Sequence, residues 1–245
     1  ETATAETFHS DLENLKNQGV DLSTITAFMI ESYHGWGALF YSKEYIQAIK
    51  KWANENQVII IFDEIQSGFG RTGKLFAYEH YDVEADLVCC GKGISSGLPL
   101  SAVLGRKELI DVDPSLNSTH GGNPICCAAT LASLEVLQDE NLISESARKG
   151  LLLEKELIKI KNKYEDRIEI FGKGLVYAIH VKKSGTKEYD VEIVDRIIEK
   201  SMQKGVLLIR TGTGTIKIGP PLTIFDDALL EGVSVIDESI SECFS

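Results

Sequence analysis

A chain of 245 residues with 43% hydrophobic and 25% charged side chains holds enough apolar material for one large or two modest domains, within the range of ordinary globular proteins. Its 37 acidic against 25 basic residues leave a net charge of −12, which argues against nucleic acid and anionic membranes as partners. No apolar stretch approaches the length of a membrane span, and Glu1-Thr2-Ala3-Thr4-Ala5-Glu6 is no signal peptide, so a cytoplasmic protein is expected.

In chain order, Phe8, Leu12 and Leu15 predict a helix over 6–18 that stops at Gly19. Residues 25–30 are apolar and β-prone, a strand followed by Glu31. Tyr45, Ile46, Ile49, Trp52 and Ala53 make a helical stripe over 43–54 that packs on a sheet, with Trp52 in the core. Val58-Ile59-Ile60-Ile61-Phe62 is apolar without alternation, the pattern of a parallel strand covered on both faces, and it stops at Asp63-Glu64. Gly68, Gly70 and Gly73 put a loop next, in which Arg71 and Lys74 read as solvated charges. Leu87-Val88-Cys89-Cys90 is a second short buried strand, ending at Gly91-Lys92-Gly93. A strand over 100–104 and a helix over 125–137, opened by Asn123-Pro124, lead to a break at 141–144. The five cysteines include the adjacent pairs Cys89-Cys90 and Cys126-Cys127, a spacing that suits neither a disulfide framework nor a metal site. They read as small packing residues, with Cys243 an incidental free thiol.

Beyond the break, a charged amphipathic helix spans 145–163. Strands follow at 168–171 and 175–181, then a helix at 191–203, strands at 206–209 and 215–218, and a last helix over 226–243. This α+β pattern sets an expected boundary between a first domain, 1–143, and a smaller second domain, 144–245. His180 alternates with apolar neighbours in its strand, which favours a structural role.

Ligands of open α/β sheets bind beyond the carboxyl ends of the strands, where Asp63 and Lys92 would stand together. A lysine amine that condenses with an aldehyde and a carboxylate that keeps a pyridinium protonated are what pyridoxal phosphate requires. By themselves, two such strand ends are a weak signal and read by default as a surface salt bridge or as plain solvated ends.

The residues between them go further. Asp63-Glu64-Ile65-Gln66-Ser67-Gly68-Phe69-Gly70-Arg71-Thr72-Gly73-Lys74, Ala85-Asp86, Gly91-Lys92-Gly93, Gly97-Leu98-Pro99-Leu100-Ser101-Ala102-Val103 and Ser118-Thr119-His120-Gly121-Gly122-Asn123-Pro124 closely resemble the signature of class III aminotransferases. The resemblance implies a fold-type-I pyridoxal-phosphate-dependent α/β transferase: a partial large domain with a mainly parallel sheet, then a small α+β domain. It implies Lys92 as the Schiff-base lysine, Asp63 as the pyridinium partner, Gln66 as the hydrogen-bond partner of the ring hydroxyl, and Thr119 as the residue reaching the phosphate of a neighbouring subunit. The last role implies a homodimer with shared active sites. The substrates implied are a small-molecule amino donor and a keto acid or aldehyde.

The chain departs from the family at two positions. Where an early turn usually carries a second glutamate, Glu31-Ser32-Tyr33-His34-Gly35-Trp36-Gly37 has Trp36, and where many members bind the substrate α-carboxylate with an arginine, Thr215-Ile216-Lys217-Ile218 has Lys217. A lysine is a point charge rather than a planar fork, so bidentate carboxylate recognition is weakened. With both partners replaced, the arginine and glutamate switch of dual-substrate members is expected to be absent. The family's phosphate turn and its stacking aromatic should lie before residue 1, so the chain reads as the latter part of a family member. Rival readings are an aminomutase or decarboxylase using the same lysine, and a non-catalytic remnant.

Overall fold

The computed structural model describes residues 3–113, 115 and 117–244. In chain order the elements are α1 (Ala5–Asn17), β1 (Ala27–Glu31), β2 (Tyr33–His34), β3 (Leu39–Phe40), α2 (Lys43–Glu55), β4 (Ile59–Asp63), β5 (Leu87–Cys90), β6 (Ala102–Gly105), α3 (Lys107–Ile110), α4 (Pro124–Asp139), α5 (Leu142–Lys163), β7 (Ile168–Lys173), β8 (Val176–Val181), α6 (Val191–Gln203), β9 (Ile209–Thr211), β10 (Thr215–Ile218) and α7 (Asp226–Phe244). Short 3-10 turns stand at Leu22–Thr24, Ala77–Tyr81 and Lys92–Ile94. They form two compact units, one of 1–33, 41–69 and 74–140, the other of 34–40, 70–73 and 141–245. The segments 34–40 and 70–73, which sit inside the expected first domain 1–143, are therefore counted with the second unit.

The first unit is built on a sheet of order β1-β4-β5-β6. β4 runs parallel to β1 and β5, while β6 returns antiparallel to β5. Ile60 and Phe62 of β4 are fully buried, as a continuous branched and aromatic run demands. The helix α2 starts where the Ser42 side chain accepts from the Tyr45 N–H at 3.2 Å, and it buries Ile46, Ile49 and Ala53. Trp52 is half-buried rather than fully enclosed, edge-on to Phe8 and Phe28.

The second unit is built on the antiparallel sheet β7-β8-β10-β9. Alternate residues Tyr177, Ile179 and Val181 of β8 join Leu153 and Leu157 of α5, Ile197 of α6 and Ile236 and Ile240 of α7 in one core. Cys243, expected to be incidental, is buried in that core. All six residues of β8 are buried, so its other face is covered too. The close packing of α5 against the β7–β8 turn needs glycine on both sides: a Cβ on Gly150 would stand 2.5 Å from Gly174 Cα, and Gly174 has φ +56°.

Two expectations shift in detail. The break expected over 141–144 is confined to Glu140 and Asn141, and α5 begins at Leu142, because Asn141 in a left-handed conformation turns the chain directly into it. The strand expected at 206–209 instead spans Ile209–Thr211, where pairing with β10 begins at Lys217↔Ile209.

Candidate functional site

Strand register sets the placement of Asp63 and Lys92. Glu31, Asp63 and Cys89 are cross-strand neighbours at the carboxyl ends of β1, β4 and β5. Lys92 follows Cys89 by three residues, so the acid and the amine leave the same end of one sheet. Asp63 is half-buried, and its Oδ1 accepts the Ile65 N–H at 3.0 Å. Burial, and then the charge of Asp63 beside it, push the Cys89 thiol up. Lys92 opens a 3-10 turn with φ +42°, a left-handed conformation that is costly for a residue with a Cβ, and it is exposed. Gln66 is exposed, and its Oε1 accepts from the Tyr33 hydroxyl at 3.2 Å. Thr119 is exposed in the turn before α4, which Asn123 caps by accepting from the Ile125 N–H at 3.0 Å.

Glu64, one residue past Asp63, is wholly buried. Its Oε1 accepts from Ser32 Oγ at 2.5 Å and from the Tyr78 N–H at 2.8 Å. Its Oε2 accepts from Ser67 Oγ at 2.6 Å and from the Ala77 N–H at 2.9 Å. The two N–H groups belong to the start of the 3-10 turn Ala77–Tyr81, so the carboxylate also caps that turn. The local sequence does not single out this anchor, because three of its four donors lie 13 to 32 residues away in the chain.

The second unit places Trp36 and Lys217 together. Three successive carbonyls of the 35–37 turn are taken by three strands: Gly35 by the Lys217 ammonium of β10, Trp36 by the Thr211 hydroxyl of β9, and Gly37 by His180 Nε2 of β8 at 2.9 Å. The carbonyl makes Nε2 the protonated nitrogen of His180, while Nδ1 lies 3.4 Å from the Tyr189 hydroxyl. His180 is buried among the rings of Trp36, Phe171 and Tyr189, and burial lowers its pKa. Gly212, with φ +54°, lies against Trp36: a Cβ there would be 2.7 Å from the indole.

Arg71 corrects an expectation. It is no solvated loop charge: its guanidinium donates to the carbonyls of Leu175 at 2.9 Å and Pro220 at 2.6 Å, because 70–73 packs within the second unit. Lys74 is exposed, as expected. At the opposite end of the β1-β4-β5-β6 sheet a cleft of about 510 Å³ is lined by Lys50, Asp86 and Arg106, and both of its cations pair with Asp86.

The sequence pattern of the family described as aminotransferase class-III matches residues 1–240. A solved S-selective transaminase from Arthrobacter sp. superposes with a TM-score of 0.87 at 28% identity, over 96% of this chain and 55% of that one. The fold is accordingly that of the fold-type-I pyridoxal-phosphate-dependent transferases. The chain belongs to the class III aminotransferase family. It is 34% identical over 235 residues to a 4-aminobutyrate aminotransferase of Mycobacterium leprae, covering 94% of this chain and 52% of the relative. It is 35% identical over 221 residues to an acetylornithine aminotransferase of Bacillus subtilis, covering 89% of this chain and 54% of the relative. The chain thus spans about half the length of the curated relatives it matches.

Proposed function

We propose that this protein acts as a pyridoxal-phosphate-dependent aminotransferase, moving an amino group between an amino donor and a keto acid or aldehyde. The observation that carries the reading is the exit of Asp63 and Lys92 from adjoining strands at one end of a mainly parallel sheet. The donor set fits the cofactor. Lys92 offers an exposed amine, Gln66 an exposed amide, and Asp63 a half-buried carboxylate with one oxygen already fixed by the Ile65 N–H. When bound, pyridoxal phosphate supplies an aldehyde for the lysine and a ring that accepts electrons from the substrate carbon.

In this reading Lys92 holds the cofactor and afterwards moves the α-proton of the substrate as general base and acid. Asp63 keeps the proton on the ring nitrogen, and Gln66 orients the ring through its hydroxyl. Thr119 reaches the phosphate bound by a second subunit, so the working form is a homodimer. By resemblance, Lys217 and Trp36 stand at the sequence positions where dual-substrate members carry an arginine and glutamate pair that deals with the substrate. The Lys217 amine is engaged by the Gly35 carbonyl, which favours an amino substrate without the usual α-carboxylate head group, such as an amino sugar, a diamine or an ω-amino acid. The setting proposed is the cytoplasm, on the adjacent cysteine pairs that suit no disulfide framework.

Borohydride reduction in the presence of pyridoxal phosphate, followed by peptide mapping, tests the assignment: the label is expected on Lys92, and a label on another lysine overturns it. Product analysis with an amino donor and a keto acid separates transamination from an aminomutase or decarboxylase.

A further inference from the structure

We propose that Glu64 is a positioning residue for the proposed site: it holds the 63–67 turn, and so fixes where the Asp63 carboxylate and the Gln66 amide stand. The inference rests on the roles given to Asp63 and Gln66 above.

Each oxygen of the Glu64 carboxylate takes one hydroxyl and one backbone N–H. The donors come from three separate segments: Ser32 just past β1, Ser67 in the turn itself, and Ala77 and Tyr78 at the start of the 3-10 turn. Ser32 and Ser67 are buried with it. The backbone of Glu64 is held as well, its N–H by the Cys89 carbonyl of β5 at 2.9 Å and its carbonyl by the Gly68 N–H at 3.0 Å. Asp63 and Gln66 stand one and two residues from this fixed point. Only a short stretch of backbone separates each from it, so neither can move far while the four donors stay in place.

A second set of contacts runs from Ser32 to the Gln66 side chain. The Ser32 carbonyl accepts the Tyr81 hydroxyl at 2.6 Å, and the next residue, Tyr33, donates its own hydroxyl to Gln66. A buried carboxylate could serve stability alone. What points to positioning is the place of this one, between the two side chains assigned to the ring nitrogen and the ring hydroxyl.

Cys89 provides a reporter that needs no cofactor, because it sits opposite Asp63 in register and the Asp63 charge helps to suppress its thiolate. The experiment measures Cys89 alkylation against pH, by peptide mapping, in the full chain. Asp63→Asn sets the reference and is expected to move the profile to lower pH. Glu64→Gln, and the milder Ser32→Ala and Ser67→Ala, are expected to move it the same way, with Ser67→Thr restoring the wild-type profile. Should Glu64→Gln fail to fold, the two serine variants decide. Wild-type profiles in folded Ser32→Ala and Ser67→Ala proteins overturn the proposal. Borohydride labelling of Lys92 in the unaltered chain is run alongside: its failure counts against the aminotransferase reading, whereas the Cys89 profiles judge Glu64 separately.

Discussion

Asp63 has one carboxylate oxygen fixed by the Ile65 N–H, which leaves the other for a ring nitrogen in the proposed site. Asp63→Asn is expected to retain some cofactor but lose turnover, since an amide cannot hold the pyridinium proton as a carboxylate does. Loss of such a charge-assisted hydrogen bond costs about 1.5–3 kcal/mol, which is roughly a ten- to hundredfold fall in rate; steady-state kinetics with unchanged kcat would contradict the role. His180 makes a different prediction. Its folded-state pKa lies below the ordinary histidine value of 6.5 because burial disfavours the charged ring. The unfolded chain therefore binds the proton first as pH falls, so the stabilising contribution is complete above the ordinary value and is lost on acidification through the folded one. Chemical denaturation at stepped pH is expected to show this loss in the wild type and to lack the His180 component in His180→Gln.

At the level of the element, the 35–37 turn is as firmly set as a strand, because β8, β9 and β10 each occupy one of its carbonyls. Trp36 lies within this held turn, and Lys217 is one of the three groups that hold it. Lys217→Arg combined with Trp36→Glu rebuilds the fork and its neutralising carboxylate. The double variant is expected to gain activity toward glutamate or 2-oxoglutarate relative to the parent in coupled assays. An unchanged donor preference would show that these two positions do not form the substrate switch. Strand β8 contributes on both faces: Tyr177, Ile179 and Val181 enter the helix-packed core, while His180 reaches the turn.

For the whole molecule, the dimer proposed here makes a distinctive forecast. If each site takes Lys92 from one subunit and Thr119 from the other, Lys92→Ala and Thr119→Ala chains each lose one component of every site in their own homodimers. Mixed after dissociation and reassociation, they form heterodimers with one doubly altered and one intact site, about a quarter of the wild-type sites at random pairing. Borohydride labelling at limiting pyridoxal phosphate is expected to recover toward that level, and no recovery would place Thr119 in its own subunit's site or outside any site. The local pattern of the chain determined most elements and the strand-end placement of Asp63 and Lys92, because uninterrupted apolar runs and the residues that stop them are properties of neighbours in sequence. The buried anchor at Glu64, the clasp of Arg71 on Leu175 and Pro220, and the capture of the 35–37 turn by Lys217, Thr211 and His180 were decided only by tertiary structure. Each depends on donors and carbonyls far apart in the chain, and a charged side chain reads as solvated until the fold removes it from water and supplies partners to replace that water.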